Sequence, residues 1–221
     1  MSSSINALVF DVYGTLFDVY SVKEKCDELF DGKGEEISIL WRQKQLEYSF
    51  LRQLMGQYEP FIDITRDSLK YAINKLNLEY NQEKELVLLE EYKNLSHYPE
   101  VETVLKEMKP KKLAVFSNGS RDMLEPLIQN SGLSSLFDEI ISVDDIKQYK
   151  PTPASYSYCL KVLGLEREEI LFMSSNGWDI SGAKNFGFKT AWINRNKLPI
   201  EELNQKPHTI YKDLNGIMEW K

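Results

Sequence analysis

An α/β fold is what this 221-residue sequence predicts, with helices layered on a parallel sheet and a helical cap inserted after the first strand. Three observations lead there. A short apolar run, Ala7-Leu-Val-Phe10, has no second strand near it; nearly unbroken helical periodicity follows to about residue 95; and from about residue 100 helical segments alternate with short apolar runs. Strands that alternate with helices build a parallel sheet covered on both faces, and the isolated first strand must join it.

The first strand is expected at residues 5–10 and delivers Asp11 to its C-terminal end. Helices are expected at 21–30, 37–55, 65–78 and 83–95, from apolar residues recurring every three or four positions, which makes the block four-helix-bundle-like. In the second of these, Ile37, Leu40, Trp41, Leu46, Phe50, Leu51 and Leu54 form an apolar stripe with Arg42 and Gln43 beside it. Strands at 113–116, 139–142, 170–173 and 190–193 complete a Rossmann-like core. The expected division is 1–18 plus 96–221 for the core and 19–95 for the cap.

A chain of this length buries a sizeable core, and 42% hydrophobic with 28% charged residues suits a folded enzyme-sized protein. The net charge of −7 argues against nucleic acid, since the one basic cluster, Lys109-Pro-Lys-Lys112, is too short for such a footprint and reads as a solvated turn. Cys26 and Cys159 follow no metal or redox spacing and read as reduced structural thiols. The opening Met-Ser-Ser-Ser-Ile-Asn has no basic segment leading into an apolar one, and no window approaches the roughly 18 apolar residues of a membrane span. A cytoplasmic protein is expected, and the acceptor patterns at Asn94 and Asn118 then carry no meaning.

Open parallel sheets bind ligands beyond the carboxyl ends of their strands. Asp11, Ser117-Asn118-Gly119, Lys150-Pro151 and Ser174-Ser175-Asn176-Gly177-Trp178-Asp179 fall there. Asp11 is either a turn-former bonded to loop amides or a nucleophile that forms an ester and divides one displacement into two steps. The turn after it would aim the amides of Val12 and Tyr13 at an anion. Ser117-Asn118-Gly119 is either a generic turn or a set of donors for a substrate carboxylate or a departing anion. Lys150 is a surface residue or, beside Asp11 and Asp179, the cation that keeps both ionised.

In this order the four clusters resemble the haloacid dehalogenase superfamily. FDVYGTLFD, LWRQKQLEYS, FSNGS, YKP and SSNGWDISGAKNFGFKTAWINR resemble its L-2-haloacid dehalogenase branch, and the resemblance spans the whole chain. The superfamily's phosphatases carry a second Asp two positions after the nucleophile and bind magnesium through acids of the late motif. Tyr13 and Ser174-Ser175-Asn176 stand there instead. A hard divalent cation wants several oxygen ligands, whereas a halide leaves as a stable anion without a proton donor, so dehalogenation with no metal and no cofactor is expected. A magnesium-dependent phosphatase is the rival enzyme, and a binding module that retained the scaffold is the non-enzymatic reading.

The resemblance implies a short L-2-haloalkanoate as substrate, halide and the D-2-hydroxyacid as products, and a homodimer. It casts Asp11 as nucleophile, Thr15 and Ser174 as orienting its carboxylate, and Ser117 with the Val12 and Tyr13 amides as holding the substrate carboxylate. Arg42, Asn118 and Trp178 would cradle the halide; on local spacing alone Arg42 is a solvated helix arginine. Tyr156 matches an active-site tyrosine, Lys150, Asn176 and Asp179 are placed to assist the hydrolytic water, and Leu46, Phe61 and Trp178 match pocket positions that ordinary packing would also explain. His97 and His208 lie outside every motif, which leaves serine-hydrolase chemistry without support.

Overall fold

A computed structural model describes residues 4–221; the expectations for Met1, Ser2 and Ser3 lie outside the described residues. Six parallel strands form one sheet in the order β3-β2-β1-β4-β5-β6: β1 (Ala7–Phe10), β2 (Lys112–Ser117), β3 (Glu139–Ser142), β4 (Ile170–Ser174), β5 (Lys189–Ile193) and β6 (Thr209–Tyr211). Every residue of β1 and β4 is buried, because helices cover both faces and neither face can be polar. β1 pairs with β2 on one side and β4 on the other, so chain order reverses around it and its C-terminal end opens into the crevice of the sheet.

Between β1 and β2 lie α1 (Lys23–Leu29), α2 (Gly34–Leu54), α3 (Phe61–Lys75), α4 (Gln82–Glu91) and α5 (Val101–Met108); α6 (Arg121–Asn130), α7 (Pro153–Leu163) and α8 (Gly177–Phe186) follow β2, β3 and β4. Helices α1 to α4 pack chiefly on one another, α2 against both α1 and α3. The chain leaves and rejoins the sheet layer at one place: Asp18 N donates to Ser96 O at 2.8 Å and Tyr98 N to Leu16 O at 3.0 Å. No helix among the described residues is long and apolar enough to cross a membrane. Cys26 and Cys159 are buried free thiols, and burial pushes both up to about 12.

Three differences from expectation have physical causes. Helix α3 begins at Phe61, four residues before the expected 65, because Pro60 sits extended at its N-cap (ψ 149°) with its locked φ already suited to the first turn. The last strand, Thr209–Tyr211, was not anticipated; three residues at a sheet edge give too short an alternation to register. The third corrects the stripe on α2. Leu54 is 83% exposed and Leu51 is exposed as well, whereas Trp41, Arg42, Gln45 and Ser49 are buried. Against α3 the helix presents hydrogen-bonding groups, Trp41 Nε1 to Thr65 O at 2.8 Å and Gln45 Nε2 to Thr65 Oγ1 at 2.8 Å, and this turns its leucine-rich end outward.

Candidate active site

Asp11 extends the β1 ladder by one bond, its N–H donating to Met173 O at 2.9 Å, before the chain turns away. The turn needs the left-handed backbone that Gly14 adopts (φ +87°), and Val12 O collects the amides of Thr15, Leu16 and Phe17 beneath it. The amides of Val12 and Tyr13 have no backbone acceptor among the described residues.

Oδ2 of Asp11 accepts from Thr15 Oγ1 at 2.8 Å, Asn176 Nδ2 at 2.8 Å and Ser174 Oγ at 3.2 Å, while Oδ1 accepts from Lys150 Nζ at 3.0 Å. Lys150 is wholly buried, and its ammonium also donates to Asp179 Oδ2 at 2.6 Å and Phe116 O at 3.0 Å, so all three of its donors are in use. Burial pulls this lysine down, but the charges of Asp11 and Asp179 outweigh burial and raise it above the ordinary lysine value. Asp179, in the first turn of α8, also accepts from Tyr156 Oη at 2.8 Å. Its own burial raises it to about 6 against the opposing pull of Lys150.

Arg42 reaches the same place from α2 and is 6% exposed. Its partners are neutral: Nη1 donates to Gln45 Oε1 at 2.7 Å and Nη2 to Tyr13 O at 3.4 Å, and among the described residues no carboxylate pairs with it. Asn118 is tied to the Lys150 backbone, accepting from its N–H at 2.8 Å and donating to its carbonyl at 3.4 Å. Ser117 Oγ accepts from Gly119 N at 3.0 Å. Gly119 has to be glycine, since a Cβ there would lie 2.7 Å from the Tyr13 ring.

Asp11, Tyr13, Arg42, Leu46, Phe61, Asn118, Asn176 and Trp178 wall a cavity of about 10 Å³, room for one water. Tyr13 Oη and Trp178 Nε1 are buried without a partner among the described residues, two donors in this wall with nothing to donate to. Thr15, Ser174, Lys150, Asp179 and Tyr156 stand behind the wall and hold it by the bonds above. Val12 and Ser117 do not line the cavity, and what Val12 presents is backbone. A larger void of about 310 Å³, lined in part by Phe50, Gln53 and Tyr149, shares Trp178 as a wall, where Phe50 meets the indole edge-on at 5.1 Å.

Sequence reasoning missed Gln45, and it named Gly119 and Phe50 without their contacts to Tyr13 and Trp178. Gln45 had a signal, being three residues after Arg42 on one helix face, whereas the other two act through contacts made only in space. A divalent cation does not fit these residues. The Lys150 ammonium already pairs with both Asp11 and Asp179, the late motif offers Ser174, Ser175 and Asn176 in place of acids, and no cluster of metal-binding side chains occurs among the described residues.

With this geometry in place, comparison with known proteins is decisive. The family model for haloacid dehalogenase-like hydrolases matches residues 5–187. The chain belongs to that family. It is 45% identical over 205 residues to haloacetate dehalogenase H-2 of Moraxella sp. (strain B), 92% of each chain, and 44% identical to the (S)-2-haloacid dehalogenase of Pseudomonas sp. (strain YL), over 97% of this chain and 94% of the relative. It also superposes on L-2-haloacid dehalogenase from Xanthobacter autotrophicus with chloropropionic acid covalently bound, with a TM-score of 0.93, 39% identity and 97% of each chain covered. Within the family these relatives place it in the 2-haloacid dehalogenase branch.

Proposed function

We propose that this protein is a hydrolytic dehalogenase that converts short L-2-haloalkanoic acids into D-2-hydroxyalkanoic acids and halide through an ester on Asp11. One observation carries the reading: Arg42 is a buried cation whose hydrogen-bond partners are all neutral, sharing a cavity wall with an aspartate that is already paired with Lys150. An uncompensated buried charge is costly, so the cavity calls for an anion. A carboxylate-bearing substrate and a departing halide both supply one.

In the first step the Asp11 carboxylate attacks C2 in line; the C–O bond forms as the carbon–halogen bond breaks, the carbon inverts, and the halide departs with the bonding electrons. Water then adds to the Asp11 carbonyl carbon and the ester C–O bond cleaves; one proton of the water ends on the hydroxyl of the departing hydroxyacid, the other passes to solvent, and Asp11 is a carboxylate again. Lys150 pairs with the nucleophile's Oδ1, and Thr15, Ser174 and Asn176 fix its orientation. Arg42, Asn118 and the unpartnered Trp178 N–H receive the halide, while the bare amides of Val12 and Tyr13, with Ser117, take the substrate carboxylate. Leu46, Phe61 and Trp178 enclose the alkyl group. Asn176, Lys150 and Asp179, the last held by Tyr156, serve the hydrolytic step. A haloacid exceeds the volume of one water, so entry requires the wall to move. We assign 1–18 and 96–221 to the core and 19–95 to the cap, place the protein in the cytoplasm, and assign a homodimer through the exposed Leu51, Leu54 and Met55 of the α2 end.

Tyr13 disfavours the phosphatase alternative: it stands where the superfamily's phosphatases carry a second Asp, and burial holds its phenol well above its usual range, a far weaker acid than a carboxyl, whereas halide needs no proton. Chloride release from L-2-chloropropionate without added metal tests the function. In a single turnover in ¹⁸O-labelled water with enzyme in excess, the label should enter Asp11. Magnesium-dependent hydrolysis of p-nitrophenyl phosphate with no chloride release would overturn the reading, and label in the product alone would overturn the ester.

A further inference from the structure

Arg195 ends the longest family-like motif, just beyond β5, and no role above uses it. Its side chain is 14% exposed and holds three elements together. One guanidinium nitrogen pairs with Glu100 at 2.5 Å, the other donates to Thr15 O at 3.1 Å, and the guanidinium carbon lies 3.8 Å from the centre of the Tyr98 ring. Glu100 is anchored in turn by the Leu214 amide at 3.1 Å.

Thr15 is where these contacts reach the chemistry. It is completely buried; its hydroxyl donates to Asp11 Oδ2 at 2.8 Å and accepts from Ser175 N at 2.8 Å, so a single residue ties the nucleophile to the end of β4. The carbonyl of that residue is what Arg195 grips. We propose that Arg195 is a positioning residue for the dehalogenation: through Thr15 it fixes the orientation of the Asp11 carboxylate without touching substrate. Tyr98, under the guanidinium, also donates its N–H to Leu16 O, so the clamp sits where the helical block joins the sheet layer.

The inference rests on the dehalogenase reading, and the experiment separates the two. Arg195→Met removes the donor and Arg195→Lys keeps one within reach. Each is assayed beside the wild type for kcat and KM on L-2-chloropropionate, with kcat normalised to the fraction of Asp11 that takes up heavy oxygen in a single turnover, which removes misfolded protein from the count. Misorientation of an attacking group by about 1 Å costs on the order of 100-fold. The expected result is a kcat per labelled site reduced about 10- to 100-fold in R195M, KM within about three-fold, and substantial recovery in R195K. A purely structural arginine would lower the melting temperature and leave kcat per labelled site unchanged in both variants, which overturns the inference. Should R195M fail to fold, Arg195→Gln takes its place: a kcat per labelled site reduced about 10-fold or more supports the inference and one at the wild-type value overturns it. If the wild type itself releases no chloride, the dehalogenase reading fails, and the crystal structure of the variant that removes the guanidinium donor, R195M or R195Q, decides: Thr15 Oγ1 bonded to Asp11 as in the wild type overturns the clamp, and a displaced Thr15 supports it.

Discussion

Lys150 and Arg42 are both buried cations of one site, yet their surroundings are opposite. Lys150 lies between two carboxylates and a carbonyl, with every donor used; Arg42 leans on a glutamine and a distant carbonyl, with no carboxylate of its own. The sheet-side cation is neutralised by the protein and serves as structure as well as chemistry. The helix-side cation has only neutral partners. The contrast teaches that the position of charge in a site matters less than whether the fold has already balanced it.

Removing each cation separates the two most sharply. Lys150→Met leaves Asp11 and Asp179 buried and unpaired, which costs about 3–5 kcal/mol of stability in denaturant unfolding and abolishes halide release. Arg42→Met should lower kcat/KM by roughly 100- to 1,000-fold, as loss of a preorganised anion-stabilising group does, while stability stays within about 1 kcal/mol because no partner charge is stranded. Equal destabilisation by the two variants would erase the distinction.

A pH profile probes the Lys150 side alone. Asp179 is raised to about 6, so kcat should fall as pH drops through about 6 and that carboxylate takes a proton, loosening its hold on Lys150. The folded protein holds this proton more tightly than the unfolded chain, so over the window between the ordinary aspartate value and about 6 the group adds stability as pH falls. Activity should be lost on acidification without a matching loss of stability from this group, a separation visible by assaying and melting the same samples.

The smallest effect probes Arg42. Bromide at about five times its Kd stabilises by about 1 kcal/mol, which is a melting-temperature rise of about 2–4 °C for a chain of this size. The rise should vanish in Arg42→Met. A shift of the same size in that variant would show that halide binds elsewhere.

The α/β class, the strand ends and the nucleophile turn were legible in the sequence because short-range chemistry writes them there: an apolar run ending in Asp11, a glycine where the turn needs a left-handed residue, and motif spacing that identifies the family. The buried face of α2 was legible only in part, at Ile37 and Trp41. Periodicity counted its leucines as core, but the groups facing α3 and the cavity are Trp41, Arg42, Gln45 and Ser49, and whether a polar helix residue is buried depends on its acceptor in another element.

The sequence by itself determined which side chains reach the sheet edge, since each stands at a fixed distance from its own strand or helix end. Only the tertiary structure decided which charges are balanced, that Lys150 is enclosed and Arg42 left open, and that Arg195 grips the Thr15 carbonyl across 180 positions of chain. Such pairings depend on separations of about 3 Å, below which Coulomb and hydrogen-bond energies become large, and no local pattern of residues encodes distances between segments so far apart.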